Sequence, residues 1–500
     1  MKARRLIPVM ALAATLTLAA SAHAEVPLVE AAKRGDVAAV RAELRRKADV
    51  DAAAPDGTTA LHWAAQRGDI ETADILLRAG AAKDTANVYG VTPLALACTG
   101  GHAALVALLL DAGVDPDTTL PGGETPVMTA ARTGHVPILK MLVARRARVN
   151  AAEASTEQTA LMWAAAEGHV AAITTLVDAG ADLAARSTGG WTALLFAVRE
   201  GQIPAVRALL EAGADVNDAL LLKRERPGTG GSAVAAPASS ALVLAVANAH
   251  YEIAALLLDR GADPNAAAQG WTALHQVTWV RKPGQGSTGP GPSGSGSMTS
   301  IDLVRKLAKH GANLNARMTS RAQVGVTALN MIGATPFLMA ARSADAQLMR
   351  VLADLGADTR VPNQDGATPL IVAAGLGTHS PGEDPGSEAE VLEAVKVALA
   401  LGNDINAVDN NGNTAMHGAA YKQVPTVVDW LAASGADISV WNQKNKQGWT
   451  PLRIAAGVFR GGMFRFSVPT ADRFRAAMTA AGASIALEDA AVNDRATSRE

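Results

Sequence analysis

The chain has 500 residues, of which 49% are apolar and 18% are charged, so it has enough apolar material for a continuous core and is not disordered by composition. Its 45 basic and 47 acidic side chains give a net charge of -2 at pH 7, without the basic excess typical of nucleic-acid-binding proteins. We therefore expect no nucleic acid among its partners. Cys98 is the single cysteine, which excludes an intramolecular disulfide, so stability must come from packing.

Residues 1–24 have the composition of a signal peptide. Three basic side chains precede an apolar run at residues 6–20, and the small-residue site Ala-His-Ala follows it. That run is shorter than the roughly 20 residues that span a bilayer, so we expect cleavage before Glu25 and no stable membrane anchor afterwards. Cleavage leaves 42 basic against 47 acidic side chains, a net charge near -5. We expect an exported protein, periplasmic or secreted, and the Arg4-Arg5 pair keeps twin-arginine export open beside general secretion.

A motif of about 33 residues recurs after this segment. The string DGTTALHWAAQRGD at residues 56–69 returns as GVTPLALACTGGH, GETPVMTAARTGH, EQTALMWAAAEGH and GWTALLFAVREGQ. The threonines of these five copies are spaced 33, 33, 34 and 33 residues apart: Thr59, Thr92, Thr125, Thr159 and Thr192. A degenerate copy occupies residues 240–250, and further copies carry Thr272, Thr335, Thr368, Thr414 and Thr450. Each copy precedes a second apolar stretch that ends near a glycine, as in ILLRAGA and LLLDAGV.

Each copy predicts a pair of helices. Thr59 is a suitable N-cap, and Leu61, Ala64 and Ala65 fall on one face of the helix that follows it. Gly68 is suited to the left-handed end of that helix. Because one unit cannot bury its own apolar face, neighbouring units must stack.

This pattern resembles the ankyrin repeat over residues 26–487, and we count twelve units, the first built on LVEAAKRGDV and the last ending in AAGAS. The resemblance implies an all-α repeat solenoid, with helix-turn-helix units joined by hairpin loops in a curved, elongated stack. It also implies a scaffold that binds a protein partner. Together with the signal-peptide composition of residues 1–24, the resemblance leads us to expect a bacterial-type, exported ankyrin-repeat protein. We expect the solenoid over residues 25–487, a C-terminal tail at 488–500, and a monomer.

Five insertions break the period and cluster in the second half of the chain: residues 219–239, 281–298, 316–333, 376–390 and 458–472. The second, fourth and fifth fall between the two helices of a unit, so we expect them to project from one edge of the solenoid, where insertions often mark a binding face. The last insertion interleaves aromatic and basic residues: Phe459, Arg460, Phe464, Arg465 and Phe466. Partner binding and capping of the open end of the stack both remain open for this group.

The sequence contains only partial matches to catalytic, cofactor-binding and metal-binding motifs. The glycines of GQGSTG at 284–289 match a dinucleotide fingerprint, but a helix precedes them where a strand is required. DNNGNT at 409–414 lacks the glycine and glutamate of a calcium loop and is interpreted as a hairpin turn. Seven histidines follow the repeat period, and the resemblance implies that the histidine of the TxLH motif, as at His62, hydrogen-bonds loop backbone. We expect no enzyme, no cofactor and no metal site.

The residue two places after each leucine of the motif lies opposite the buried face, because Trp63 is about 200° from Leu61 on the helical wheel. We call this the groove position, since in ankyrin proteins this surface of the first helix lines the concave groove where partners commonly dock. The groove positions along the chain are Trp63, Leu96, Thr129, Trp163, Phe196, Leu244, Gln276, Met339, Val372, Gly418 and Ile454. Their apolar members predict a partner-binding stripe, at Trp63, Leu96, Trp163, Phe196, Leu244 and Met339. Two alternatives stay open: these side chains fill a tight curvature, or the aromatic groove binds a small molecule or glycan.

Overall fold

The computed structural model describes residues 26–220, 239–282, 292, 294–320, 328–378, 381–382, 384–460 and 463–484, and the side chains of 459, 460 and 463–465 are outside that description. The expected signal peptide (1–24), the C-terminal tail (488–500) and the GQGSTG motif lie outside the described residues.

Helices in the described residues come in consecutive pairs, each a first helix followed by a second. The first six pairs are α1 (Pro27–Arg34) with α2 (Val37–Arg45), α3 (Ala60–Arg67) with α4 (Ile70–Arg78), α5 (Pro93–Thr99) with α6 (Ala103–Asp111), α7 (Pro126–Thr133) with α8 (Val136–Ala144), α9 (Ala160–Glu167) with α10 (Val170–Asp178), and α11 (Ala193–Arg199) with α12 (Ile203–Glu211). The next five are α13 (Ala241–Ala247) with α14 (Tyr251–Asp259), α15 (Ala273–Arg281) with α16 (Ser300–Lys309), α17 (Pro336–Arg342) with α18 (Ala346–Asp354), α19 (Pro369–Ala373) with α20 (Glu388–Ala400), and α21 (Ala415–Lys422) with α22 (Pro425–Ala433). A single turn, α23 (Ile438–Trp441), precedes the twelfth pair, α24 (Pro451–Ala456) and α25 (Val468–Ala480).

The described strands lie inside that twelfth pair. β1 (Val458–Arg460) and β2 (Met463–Arg465) form an antiparallel hairpin in which Phe459 is paired with Phe464. The insertion predicted at 458–472 is therefore partly a β-hairpin, a small β element within the predicted all-α solenoid.

The chain divides into two compact units. One comprises residues up to 130 together with 140–147, and the other comprises 131–139 together with residues from 148 onward. Within each unit, first helices pack on the first helices of neighbouring pairs, as α1 does on α3 and α9 on α11. Second helices form a parallel layer, with α10 on α12 and α20 on α22. This is the packing of an ankyrin-type helical solenoid.

Local chemistry explains where the helices start and stop. The hydroxyl of Thr92 accepts the backbone N–H of Ala95, and Ser240 caps α13 in the same way. Gly68 ends α3 in the left-handed conformation with φ 66°, which costs a glycine little. The threonine and glycine signals in the sequence therefore mark the helix boundaries correctly.

The core consists of the faces that the sequence pattern assigned to it. Leu61, Ala64 and Ala65 are at most 1% exposed, and alanines at these positions allow the helices of neighbouring pairs to approach closely. Cys98 is buried among them, and that burial raises the pKa of its thiol to about 12, which keeps it protonated. Cys98 is thus a packing residue, as its apolar surroundings in the sequence indicate.

The described parts of two insertions fold back onto the solenoid instead of projecting from it, which corrects the expectation from the sequence. In the insertion at 281–298, Ser295 donates its backbone N–H to Nδ1 of His250 at 3.3 Å. In the insertion at 376–390, Asp384 faces Arg342 at 3.5 Å and the Pro385 carbonyl accepts a hydrogen bond from Lys422 at 2.7 Å. Hydrogen bonds and an ion pair with neighbouring helix pairs therefore fix both segments against the solenoid.

Candidate functional site

Two tryptophans at groove positions share one arrangement. Trp63 on α3 and Trp163 on α9 are half-buried, each at the fourth position after the threonine that starts its helix. The Lys33 ammonium lies 5.4 Å from the ring centroid of Trp63, and the Arg132 guanidinium lies 5.7 Å from that of Trp163. In both cases the cation comes from the first helix of the preceding pair. The result is a partly exposed aromatic ring with a positive charge over it.

The other groove positions divide into open and buried ones. Leu96 and Leu244 are half-buried, so part of each side chain faces solvent. The prediction that the groove position faces outward is wrong for Phe196 and Met339, which are 5% and 1% exposed. It is also wrong for the groove positions Thr129, Val372, Gly418 and Ile454, which are buried. The apolar stripe predicted from the sequence is therefore interrupted.

Phe196 is buried because side chains of its own unit cover it. Its ring lies 5.6 Å from that of Trp191, and the Arg199 guanidinium lies 4.9 Å from both ring centroids. Trp191 belongs to the GWT sequence that comes directly before α11. The three side chains form one compact group in which Trp191 and Arg199 keep solvent from Phe196.

Met339 is buried for a different reason, because described residues of the insertion at 316–333 pack against it. Met318 and Met331 of that insertion pack against Met339 in one apolar cluster. The same cluster contains Trp279 of α15 and Val372 of α19. We call residues 318–331, as far as they are described, the groove cover, since their methionines pack against the groove position Met339.

The cations over the rings are the functional residues that the sequence interpretation missed. Lys33, Arg132 and Arg199 each stand two residues before the glycine that follows their first helix. This shared position was a signal in the sequence, and it places each charge beside the aromatic ring at a groove position. No group of three or more His, Cys, Asp or Glu side chains in the described residues is placed to hold a metal ion.

Family models for ankyrin repeats match most of this chain. A model of three ankyrin copies matches residues 28–119, 105–187, 152–219 and 387–460, and a single-repeat model matches 239–268. The chain belongs to the ankyrin repeat family. Among solved structures it is similar to the human ASB11 ankyrin repeat domain, with 27% identity and a TM-score of 0.40 over 48% of this chain and 99% of that one.

Ankyrin repeats generally mediate protein–protein interactions, and proteins built from them are typically non-enzymatic scaffolds. The TxLH histidines of this ankyrin chain have the structural role that the resemblance implied. Nδ1 of His62 lies 2.8 Å from the Thr59 hydroxyl, and its Nε2 lies 3.0 Å from the Val91 carbonyl in the next hairpin. His275 repeats this arrangement with Thr272 and the Ala334 carbonyl. These rings therefore join one ankyrin unit to the next.

Histidines at the start of second helices form another set of links between ankyrin units. Nε2 of His102 faces the Gln66 carbonyl at 3.2 Å, and Nε2 of His169 faces the Arg132 carbonyl at 3.0 Å. Gln202 replaces histidine in the sixth pair and donates to the Ala166 carbonyl at 3.2 Å. These contacts use side-chain nitrogens to satisfy carbonyls at the ends of first helices.

The C-terminal edge is described only in part. The backbones of Phe459, Arg460, Phe464 and Arg465 form the β-hairpin, and their side chains lie outside the described residues. Phe466 is 48% exposed, whereas Phe474 of α25 is fully buried with its ring 5.8 Å from that of Trp441. Phe474 therefore fills the interior of the last ankyrin unit, and Phe466 offers apolar surface.

The asparagine-rich hairpin DNNGNT at residues 409–414 is held by hydrogen bonds within itself. The Asp409 carboxylate accepts the backbone N–H groups of Asn411 and Asn413 at 2.8 and 2.7 Å. This geometry confirms the interpretation as a hairpin turn. In the part of the chain that the structure describes, no helix has the length and apolar character needed to cross a membrane.

Proposed function

We propose that this ankyrin protein is an exported, monomeric scaffold of twelve units that binds a protein partner through the groove positions left open in its regular units. Trp63 and Trp163 are the main contacts, and Leu96 and Leu244 add apolar area. The partner is not a nucleic acid, and the chain works without a cofactor or a bound metal.

The observation that carries the proposal is the repeated pairing of a half-buried tryptophan with a cation. Large aromatic side chains supply much of the binding energy in protein interfaces, and a half-buried ring gains further apolar burial when a partner covers it. Lys33 and Arg132 hold positive charge at the same places, in a chain with a net negative charge. A partner segment that combines apolar and acidic side chains fits this surface best, because carboxylates would meet the two cations.

Phe466 extends the proposal to the C-terminal edge. It is half-exposed and follows directly after the β-hairpin whose backbone contains Phe459, Arg460, Phe464 and Arg465. Since Phe474 already fills the interior of the last unit, binding is a better account of Phe466 than capping. This edge is a second contact region for the same protein partner.

The small-molecule or glycan alternative in the aromatic groove is less well supported. The faces of Trp63 and Trp163 nearest to their cations are occupied by Lys33 and Arg132, so stacking by a flat ligand would compete with them. A ligand that bound there would raise the melting temperature of the chain, which thermal-shift screening would detect.

The test compares partner capture by matched variants. The chain from Glu25 is immobilised and exposed to an envelope extract, and captured proteins are quantified by mass spectrometry. We expect a captured protein to be lost or reduced at least tenfold by Trp63→Ser with Trp163→Ser, since two interface tryptophans contribute on the order of 2 kcal/mol each.

Trp430→Ser is the matched control, because Trp430 is also half-buried but lies on a second helix, α22. Capture should be unchanged in this variant. Equal capture by the wild-type chain and the double groove variant would contradict the proposed groove site, and loss in Phe466→Ser alone would move the site to the C-terminal edge.

A further inference from the structure

Two insertions meet over the hairpins of the last ankyrin units. The backbone N–H of Ala328, in the insertion at 316–333, donates to the carbonyl of Gly377, in the insertion at 376–390, at 3.0 Å. We call the described residues 328–330 and 376–377 the roof. Uninterrupted ankyrin units carry neither segment, so the roof exists only where the repeat pattern is broken.

A cavity of about 210 Å³ lies beneath the roof. Its other side is a row of polar side chains from three successive hairpins and α21, which we call the floor: Asn363, Asp409, Asn413, Tyr421 and Asn445. Each floor residue is at most 8% exposed. A cavity of about 150 Å³ already admits a six-membered ring the size of benzene, so this one admits such a ring with small substituents.

Hydrogen bonds hold the floor in place. The Asn445 amide donates to Oδ1 of Asn413 at 2.9 Å and to the Tyr421 hydroxyl at 3.2 Å. The Tyr421 hydroxyl donates in turn to Oε1 of Gln447 at 2.9 Å. Because the side chains fix one another, the floor is ordered before any ligand arrives.

The charges and polar groups that line the cavity determine which class of ligand fits it. Two carboxylates, Asp365 and Asp409, against the single ammonium of Lys446 disfavour an anion. A metal cation fits poorly because the Asp409 oxygens already accept N–H groups from its own hairpin. An apolar ligand would leave the half-buried Asn411 amide, which lines the cavity, without a partner, which is costly. Leu329 and Leu376 of the roof still offer an apolar patch for C–H groups.

We propose that this cavity binds a compact, uncharged polyhydroxyl compound of about one sugar ring. Each hydroxyl both donates and accepts, which matches the mixture of amide, carboxylate and phenol groups on the floor. The site is separate from the groove positions that contact the protein partner, and it adds a small-ligand function to the scaffold.

Asn411 is the best residue for a test. Its half-buried side chain lines the cavity, and its amide makes no hydrogen bond to another residue that the structure describes. Replacement by leucine therefore removes a donor and an acceptor from the wall without breaking a described contact of the fold. Asn410→Leu is the matched control, since Asn410 is the adjacent amide in the same hairpin but is exposed and lies outside the cavity lining.

The full chain is titrated with D-glucose, D-galactose, N-acetyl-D-glucosamine and myo-inositol, and binding is followed by calorimetry and by saturation-transfer NMR. Calcium chloride and sodium phosphate are the charged comparators. We expect saturable binding of at least one polyol, weakened about tenfold or more by Asn411→Leu and by less than about twofold by Asn410→Leu.

Three results would overturn the proposal: no binding of any of the four polyols, saturable binding of calcium or phosphate alone, or equal affinities in the two leucine variants. If Asn411→Leu melts below the working temperature, Tyr421→Phe takes its place. That variant removes one hydroxyl from the floor and keeps the ring, and unchanged polyol affinity in it would likewise contradict the site.

Discussion

The fifth and ninth ankyrin pairs place equivalent residues in opposite environments. Trp163 and Met339 both stand four residues after the threonine that begins a first helix, yet Trp163 is half-buried and Met339 is 1% exposed. Both helices begin after a threonine N-cap, Thr159 and Thr335. The difference comes from the insertion at 316–333, whose methionines lie on Met339, whereas a short hairpin joins the units beside Trp163.

This comparison separates two kinds of information in a repeat sequence. The repeat period determines where on the helix a side chain stands. Segments from elsewhere in the chain determine whether that side chain reaches solvent. The proposed binding role therefore belongs to groove positions in regular units, whereas those beneath the groove cover belong to the buried core.

The largest effect on the free energy of unfolding is expected from a substitution beneath the groove cover. Met339→Ala removes a fully buried side chain from the apolar cluster and should lower the free energy of unfolding of this region by about 2–5 kcal/mol. Native-state hydrogen exchange measures this locally, which suits a repeat protein whose units do not all unfold together. Leu244→Ala, at a half-buried groove position, should cost about 1 kcal/mol, and equal losses in the two variants would remove the distinction between covered and open positions.

A second prediction concerns the TxLH histidine cap, which occurs in the second, eighth and eleventh pairs. Burial lowers the pKa of His275 and of His417 from the ordinary 6.5 to about 4. Between these values the unfolded chain binds a proton at each site that the folded chain does not, so stability falls as pH falls from 6.5 towards 4. The loss at the lower end of the window is roughly 3 kcal/mol per histidine.

Melting temperatures measured across this pH window provide the test. His275→Asn should melt lower at neutral pH, because it loses the bonds to Thr272 and Ala334, but its melting temperature should change less with pH. His310→Asn is the control, since His310 is half-buried and contacts Asp259 at the surface. A slope in His275→Asn as steep as in the control would contradict the account of the caps.

The smallest effect on the free energy of unfolding is expected from a substitution at the C-terminal edge. Phe466→Ser should change stability by less than about 0.5 kcal/mol, because the side chain is 48% exposed and the interior of the last unit is filled by Phe474. Chemical unfolding followed by tryptophan fluorescence checks this. A loss above about 2 kcal/mol would show that Phe466 caps the stack and is not available to a partner.

Most of the fold could be predicted from the sequence because it depends on local signals. Thr59, Leu61 and Gly68 specify a start, a buried face and an end of one helix, and the same signals recur in phase along the chain. The bond from His62 to the next hairpin followed from the family resemblance once the motif was recognised. Signals of this kind act within about one repeat length, so a single sequence contains them.

The candidate site could be predicted only in part. Trp63 and Trp163 are open as expected, but burial of Phe196 depends on Trp191 and Arg199 lying over its ring. Contacts between segments far apart in the sequence account for most of what could not be predicted. The groove cover and the roof of the cavity each join an insertion to other units, and the sequence has no period that specifies those contacts.

The measurement that tests the central claim most directly is oxidative footprinting of the chain with and without its captured partner, with side-chain oxidation quantified by mass spectrometry. We predict that Trp63 and Trp163 are oxidised in the free chain and protected in the complex. Met339 and Trp279 should be protected in both states, because the groove cover buries them. Rapid oxidation of Met339 in the free chain, or unchanged oxidation of Trp63 and Trp163 in the complex, would contradict the division between open binding positions and covered stabilising ones.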